Sequence, residues 1–304
     1  MKDIVIKSKE YYLSKLWIYL NSINEKKLFY LSHEPVLQHP ADILRSQISN
    51  FYECVKKFNN TDDKIQGVKN IFFALDSFYD NCFNILKTFF SNDDRINEKV
   101  SYKWFEKNNI KNGKKFYELT NTHHKLFSDC VNLLKHDDPS LEQISLKNEM
   151  KDNYLIDGFY FSVLEKTGKR CPHPEIHKLF RGKKTAFSYN FIIKKMIFHL
   201  FYYETRLLQV IPKYEVESNL DNRIDIYKEL LDIANSISNE FFPNEYYLPS
   251  GFLEQNQNSY ILNFPKTYAK FASKKYSYIL STEIKINQRT HQANGCLPYF
   301  GNKT

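Results

Sequence analysis

The sequence predicts a mainly α fold: an N-terminal antiparallel helical bundle followed by a smaller α+β region. Three observations lead there. Glycine and proline are scarce, 8 and 10 in 304 residues, which favours long regular elements over a turn-rich β-sandwich. Apolar residues recur at helical spacing up to His136. Beyond about residue 150 the chain turns to aromatic and β-branched runs. Its length suffices for a large core, in one big domain or two of ordinary size. The polar stretch 137–153 reads as a linker, which sets the expected units at 1–150 and 151–304.

Residues 1–31 read as helical, with Leu13, Leu16, Trp17 and Leu20 at helical spacing, and Pro35 and Pro40 break that pattern. The stripe Leu44, Ile48, Phe51 and Val55 predicts a helix over 41–58. Thr61-Asp62-Asp63 then offers a cap and an acidic first turn for a long third helix. Its stripe runs Ile65, Val68, Phe72, Leu75, Tyr79, Cys82, Leu86 and Phe89. A shorter helix is expected over 97–108, and another from about 114 to His136, stopped by Asp137-Asp138-Pro139. Residues 154–164 suit a strand or a hairpin around Asp157-Gly158, and 167–185 read as loop. Helices are expected over 189–210 and 223–241, and strands over 260–264 and 276–286.

Hydrophobic residues make up 42% and aromatics 16%, with 25 Phe and 22 Tyr, so a disordered chain is excluded. The formal charge is +8 and the pI about 8.9. That balance steers anionic partners and equally describes a lysine-rich solvated surface; it permits nucleic acid without requiring it. No secretory signal pattern stands at the start, and no run nears the roughly 18–20 apolar residues of a membrane span. Five scattered cysteines do not form a disulfide framework. A cytoplasmic protein that does not engage a membrane is expected.

The segment that carries chemistry is the end of the helix reading THHKLFSDCVNLLKH. At about 100° per residue, Lys125, Asp129, Asn132 and His136 share one stripe while Leu126, Cys130, Leu133 and Leu134 occupy another side. Lys135 lies beside the polar stripe. A histidine at a helix C-terminus meets the negative end of the dipole, which favours its cationic form. Such a histidine exchanges protons with a 2′-hydroxyl or a leaving group, a lysine neutralises phosphate, and an asparagine amide orients it. Capping alone also draws Lys and His to helix ends, so both readings stand.

Asn132-Leu133-Leu134-Lys135-His136, after an apolar helix and before an Asp-rich turn, resembles the Asn-x-x-Lys-His variant of the HEPN superfamily. The resemblance covers about residues 40–140. It implies a HEPN-like helical bundle from defence or toxin–antitoxin systems. The activity it implies is that of a metal-independent RNA endonuclease, cleaving by 2′-hydroxyl attack with a histidine acid or base. It also implies a site completed across a homodimer and no cofactor. The catalytic assignment is His136, Lys135, Asn132 and Asp129. Lys125, Asp76 and Asp80 are assigned to substrate binding, the two acids sharing a face of the third helix. The chain departs from the commoner Arg-x4-6-His pattern: Val131, Cys130 and Asp129 stand where arginine would, so Lys135 must supply the positive charge. That departure keeps a second reading open, a non-catalytic module that binds a partner protein such as an antitoxin, a nucleotide or RNA.

Weaker signals are set beside these. Arg170 and His177 have the spacing Arg-x6-His, but Pro172 and Pro174 between them rule against a helix. Cys171, His173 and His177 offer three zinc-type ligands, with His291 or Cys296 as a distant fourth, but no paired Cys-x2-Cys supports a site. His123-His124 reads as core edge or surface. Lys266 to Tyr278 mixes lysines with aromatics and suits either base stacking or an amphipathic strand pair. The helix from Phe187 to Ile211 is apolar nearly all round and reads as buried.

Overall fold

The computed structural model describes residues 4–7, 14–92, 101–136, 140–148, 154–166, 168, 170–214, 226–256, 259–267 and 297–299. The protein is mainly helical with a smaller sheet region. Helix α1 (Lys15–Ser22) starts at Ser14, whose hydroxyl accepts from the Trp17 amide, and it buries Leu16, Trp17 and Leu20. Helix α2 (Pro40–Asn60) opens on a proline, which suits a first helical turn because its missing N–H would have no partner there. It buries the expected stripe Leu44, Ile48, Phe51 and Val55. Asp63 caps helix α3 (Lys64–Lys87) by accepting from the Gln66 amide, as its sequence position suggested. The link between α2 and α3 is three residues, so the two helices fold back as an antiparallel pair.

Helix α4 (Ser101–Lys107) leads into helix α5 (Lys111–His136). These two approach closely: a Cβ on Gly113 would lie 2.1 Å from the Phe105 ring, so only glycine fits there. Helices α3 and α5 are in contact, and no strand falls among the described residues of 41–137.

Strands β2 (Ser140–Asn148) and β3 (Tyr154–Leu164) pair antiparallel, with β4 (Arg170–Pro172) on the far side of β3. Strands β5 (Leu179–Phe180) and β6 (Lys183–Lys184) make a small separate hairpin, and β7 (Phe187–Ser188) pairs with β3. Helix α6 (Tyr189–Val210) follows, then α7 (Ile226–Ser236). Strands β8 (Ser250–Asn256) and β9 (Ser259–Lys266) form a second sheet with β1 (Ile4–Lys7) at its edge.

The structure corrects several sequence expectations. The opening segment is not helical throughout, because Ile4–Lys7 pairs with β9. The polar stretch after His136 is no linker: Ser140–Asn148 is a full strand whose Ile144 and Leu146 are buried in alternation. The 167–185 stretch contains three short strands, and β8 was not anticipated. Asp157-Gly158 is no hairpin turn but lies inside β3. A Cβ on Gly158 would sit 2.1 Å from the Phe187 carbonyl oxygen, so the glycine admits β7. Residues 276–286 lie outside the described residues.

One apolar core runs across residue 150. Helix α6 is buried on nearly all sides, against α3, α5, α1 and α7, and Phe159 and Phe161 of β3 join the same cluster as Phe72 of α3. Most polar groups carried inside by α6 find partners, the Tyr189 hydroxyl being an exception among the described residues. Tyr202 donates to the Leu119 carbonyl at 2.7 Å. Glu204 accepts from Ser14 at 2.8 Å and from the Tyr227 hydroxyl, tying α1 and α7 to α6.

Burial pushes the Glu204 carboxyl up from 4.5 to about 7, against the hydrogen bonds from Tyr227 and Ser14 that pull it down. The folded chain therefore holds this proton more tightly than the unfolded chain. The resulting stabilisation is complete below the unfolded value and is lost as pH rises to about 7. Glu204→Gln should accordingly flatten the loss of stability between about pH 5 and about pH 8, by up to about 3 kcal/mol. Urea unfolding at both pH values measures this. Midpoints that shift in parallel for the two proteins would remove Glu204 as the cause.

Candidate active site

Three helices meet around Asp76 of α3. One carboxylate oxygen receives the Lys135 ammonium at 3.1 Å, and the other lies 3.3 Å from Nε2 of His124. On the far side of that imidazole, Nδ1 is 3.0 Å from the Tyr203 hydroxyl of α6. The His124 ring lies flat on Tyr79, with centroids 3.7 Å apart and planes 14° from parallel. Tyr79 in turn shares a 3.0 Å hydrogen bond with Thr120, whose hydroxyl donates to the Phe116 carbonyl. A proton on Nε2 fits this set, because an ionised Asp76 only accepts and the Tyr203 hydroxyl then donates to Nδ1.

The cluster grades from inside to outside. The side chain of His124 is 7% exposed, that of Asp76 14% and that of Lys135 45%. Burial raises the Asp76 carboxyl, but the hydrogen bonds from His124 and Lys135 and the Lys135 charge outweigh it and hold the group below its ordinary value. Asp80, one turn on, is pushed the other way by desolvation and by the Asp76 charge. It is exposed, so water screens most of that effect.

The remaining predicted residues lie on the outer face of α5. Lys125 and Asp129 pair with each other at 3.0 Å across one helical turn, a solvent-facing contact. Asn132 and His136 are exposed and make no hydrogen bond or ion pair among the described residues. Thus Lys135 and Asp76 come together, Lys125 and Asp129 occupy each other, and Asn132 and His136 stand open to solvent at the end of the helix. His136 is exposed rather than buried against Leu or Phe.

His124 is the residue that sequence reasoning undervalued. It is fully inside the core and is the polar centre of the α3–α5–α6 junction, whereas His123 is half-buried against Tyr202, 5.1 Å between centroids. A signal existed in the sequence. Thr120, His124, Phe127 and Val131 follow helical spacing on the buried side of α5, so His124 had to be satisfied within the core.

The other candidates separate. Arg170 lies in strand β4 and His177 in the turn beyond it, so no helix joins them. His177 is buried, accepts the Phe161 amide at 2.9 Å and is pushed down to about 3 by desolvation. Cys171, His173 and His177 do not converge; no metal-sized group of three His, Cys, Asp or Glu occurs among the described residues. His291, Cys296 and residues 268–278 lie outside the described residues. No described helix is long and apolar enough to cross a membrane. Comparison of the chain with protein-family models, curated proteins and solved structures returns no match.

The geometry ranks the two contacts of Asp76. Asp76→Ala should lower stability by about 1–3 kcal/mol, because it strands the buried His124 donor. Lys135→Ala should cost less than about 1 kcal/mol, since that ammonium returns to water. Urea titrations of the two variants test the order; an equal or reversed cost would show that His124 is not held by Asp76.

Proposed function

We propose that the chain is a HEPN-like, metal-independent RNA endonuclease of defence or toxin–antitoxin type. The observation that carries the reading is the solvent-open arrangement at the end of α5: His136 and Asn132 exposed beside Lys135, with Lys135 held by Asp76 of α3. In this reading His136 takes the proton from the substrate's 2′-hydroxyl, which attacks the adjacent phosphorus, or returns a proton to the 5′-oxygen that leaves. Lys135 neutralises the phosphate, exchanging part of its contact with Asp76 for the substrate. Asn132 orients a phosphate oxygen through its amide N–H groups. Asp76 positions Lys135 from beneath, and Asp80 and Lys125 lie beside the path of the strand. A second copy of the chain would bring a second His136 to the same open surface and enclose it.

One observation favours the alternative, a non-catalytic module that holds a partner protein, nucleotide or RNA. The charges of Lys135 and Lys125 are already neutralised by Asp76 and Asp129, which leaves the site less cationic than phosphoryl chemistry uses best.

Cleavage of total RNA and tRNA in EDTA decides between the two. The nuclease should leave 2′,3′-cyclic phosphate ends and spare DNA, which lacks the attacking hydroxyl. His136→Ala should lower the rate by about 10²–10⁴-fold, and Lys135→Ala by less, both with unchanged far-UV dichroism. An intact rate in His136→Ala, or strict magnesium dependence with DNA preferred, would refute the nuclease reading.

A further inference from the structure

Away from Asp76, the β5–β6 hairpin presents a second surface with its own chemistry. Its sequence, Lys178-Leu179-Phe180-Arg181-Gly182-Lys183-Lys184, carries four cations and no acid. None of the four makes an ion pair among the described residues, and Lys178, Arg181 and Lys183 are exposed. Glu175, the nearest acid before the hairpin, is exposed in the preceding turn.

Two-residue strands do not hold a hairpin by themselves. This one is pinned at two points: the Lys184 carbonyl accepts the Tyr299 amide at 2.8 Å, and Phe180 stacks on Tyr247 with centroids 5.7 Å apart and planes 28° from parallel. Tyr247 sits on a rigid support. It closes a turn whose Glu245 is fully buried and accepts from the Ser188 and Phe242 amides at 2.8 Å each.

The ring pair is not sealed into the core. Tyr247 is 45% exposed, and Leu179, on the opposite face of the hairpin, is 65% exposed. Cations surround the rings: the Arg181 guanidinium lies 5.3 Å from the Phe180 centroid, and Lys183 is the cross-strand partner of Phe180. Flat π-faces framed by unpaired Lys and Arg match one ligand chemistry best, a strand of unpaired bases on a phosphate backbone. An anionic lipid surface would meet the charges, but it has no use for the stacked geometry.

We propose that the β5–β6 hairpin together with Tyr247 is a single-stranded RNA-binding surface. A base stacks on the Phe180–Tyr247 pair, and Lys178, Arg181 and Lys183 hold the flanking phosphates. The inference takes RNA as the ligand from the functional reading above but does not depend on cleavage.

The test is fluorescence anisotropy of a labelled single-stranded RNA of about 20 nucleotides, with full-length His136→Ala protein as an uncut reference. Arg181→Asn combined with Lys183→Gln removes two charges from exposed positions, and asparagine tolerates the positive φ of 50° that Arg181 adopts. This variant should bind more weakly and reduce the slope of log affinity against log salt by about 1.4, at about 0.7 per lost phosphate contact. Tyr247→Leu keeps apolar cover on Phe180 and should weaken binding at least about fivefold. Reference-level affinity in both variants would overturn the proposal. So would failure of the reference to bind RNA, or binding of phosphatidylserine vesicles in its place. Wild-type protein that cuts nothing, while the hairpin variants still lose RNA, would sink the nuclease reading and leave this surface standing.

Discussion

The burial of α6 on nearly all sides is the constraint on which the rest of the structure depends. A helix with an apolar surface all round must be wrapped, and α1, α3, α5, α7 and strands β3, β7 and β8 supply the wrapping. Wrapping also encloses its polar side chains, and each enclosed group demands a partner. His199 meets the Lys195 carbonyl at 2.6 Å, Tyr202 reaches back to α5, Tyr203 meets His124, and Glu204 gathers Ser14 and Tyr227. The bonds of Tyr202 and Tyr203 fix which residues of α5 face α6, and the Tyr203 ring also packs edge-on against Tyr79 of α3. The position of the candidate site follows from α6, although α6 contributes no group to its exposed face.

Much of the helical part was legible in the sequence because a period of 3.6 residues is a local property. The stripes of α2 and α3, the Asp63 cap and the break after His136 needed no knowledge of partners. What failed was non-local. Four residues at Ile4–Lys7 become a strand only because β9 lies beside them, more than two hundred residues away in sequence. Ser140–Asn148 looked like a linker because six of its nine residues are polar. That is the composition of a strand with one wet face, and the alternation of Ile144 and Leu146 was the available clue. Gly158 suggested a turn, and its real cause, the approach of Phe187, is invisible without the fold.

The site was legible to the same limit. Helical spacing grouped Lys125, Asp129, Asn132 and His136 correctly on an outer face, and pairing of Asp76 with Lys135 was one of the options it left open. It did not distinguish a pair that neutralises itself, Lys125 with Asp129, from groups left open to solvent. It also missed His124, since the reason for a histidine there is Tyr203, 79 residues downstream on α6. Chemistry at the surface was readable from one helix; the support beneath it required three.

Asp76 faces two ways. One oxygen serves His124 inside the core and the other serves Lys135 at the surface. The two contacts draw on a single charge, so they are thermodynamically linked. Anything that takes Lys135 away from Asp76 alters the free energy of the Asp76–His124–Tyr203 contact, and any change in the packing around Tyr203 alters, by the same amount, what is gained by binding at Lys135. Positions 76, 124 and 135 therefore do not vary independently. A substitution at any one of them resets which residues are tolerated at the other two, and the outer face of α5 inherits constraints set by a tyrosine it never touches.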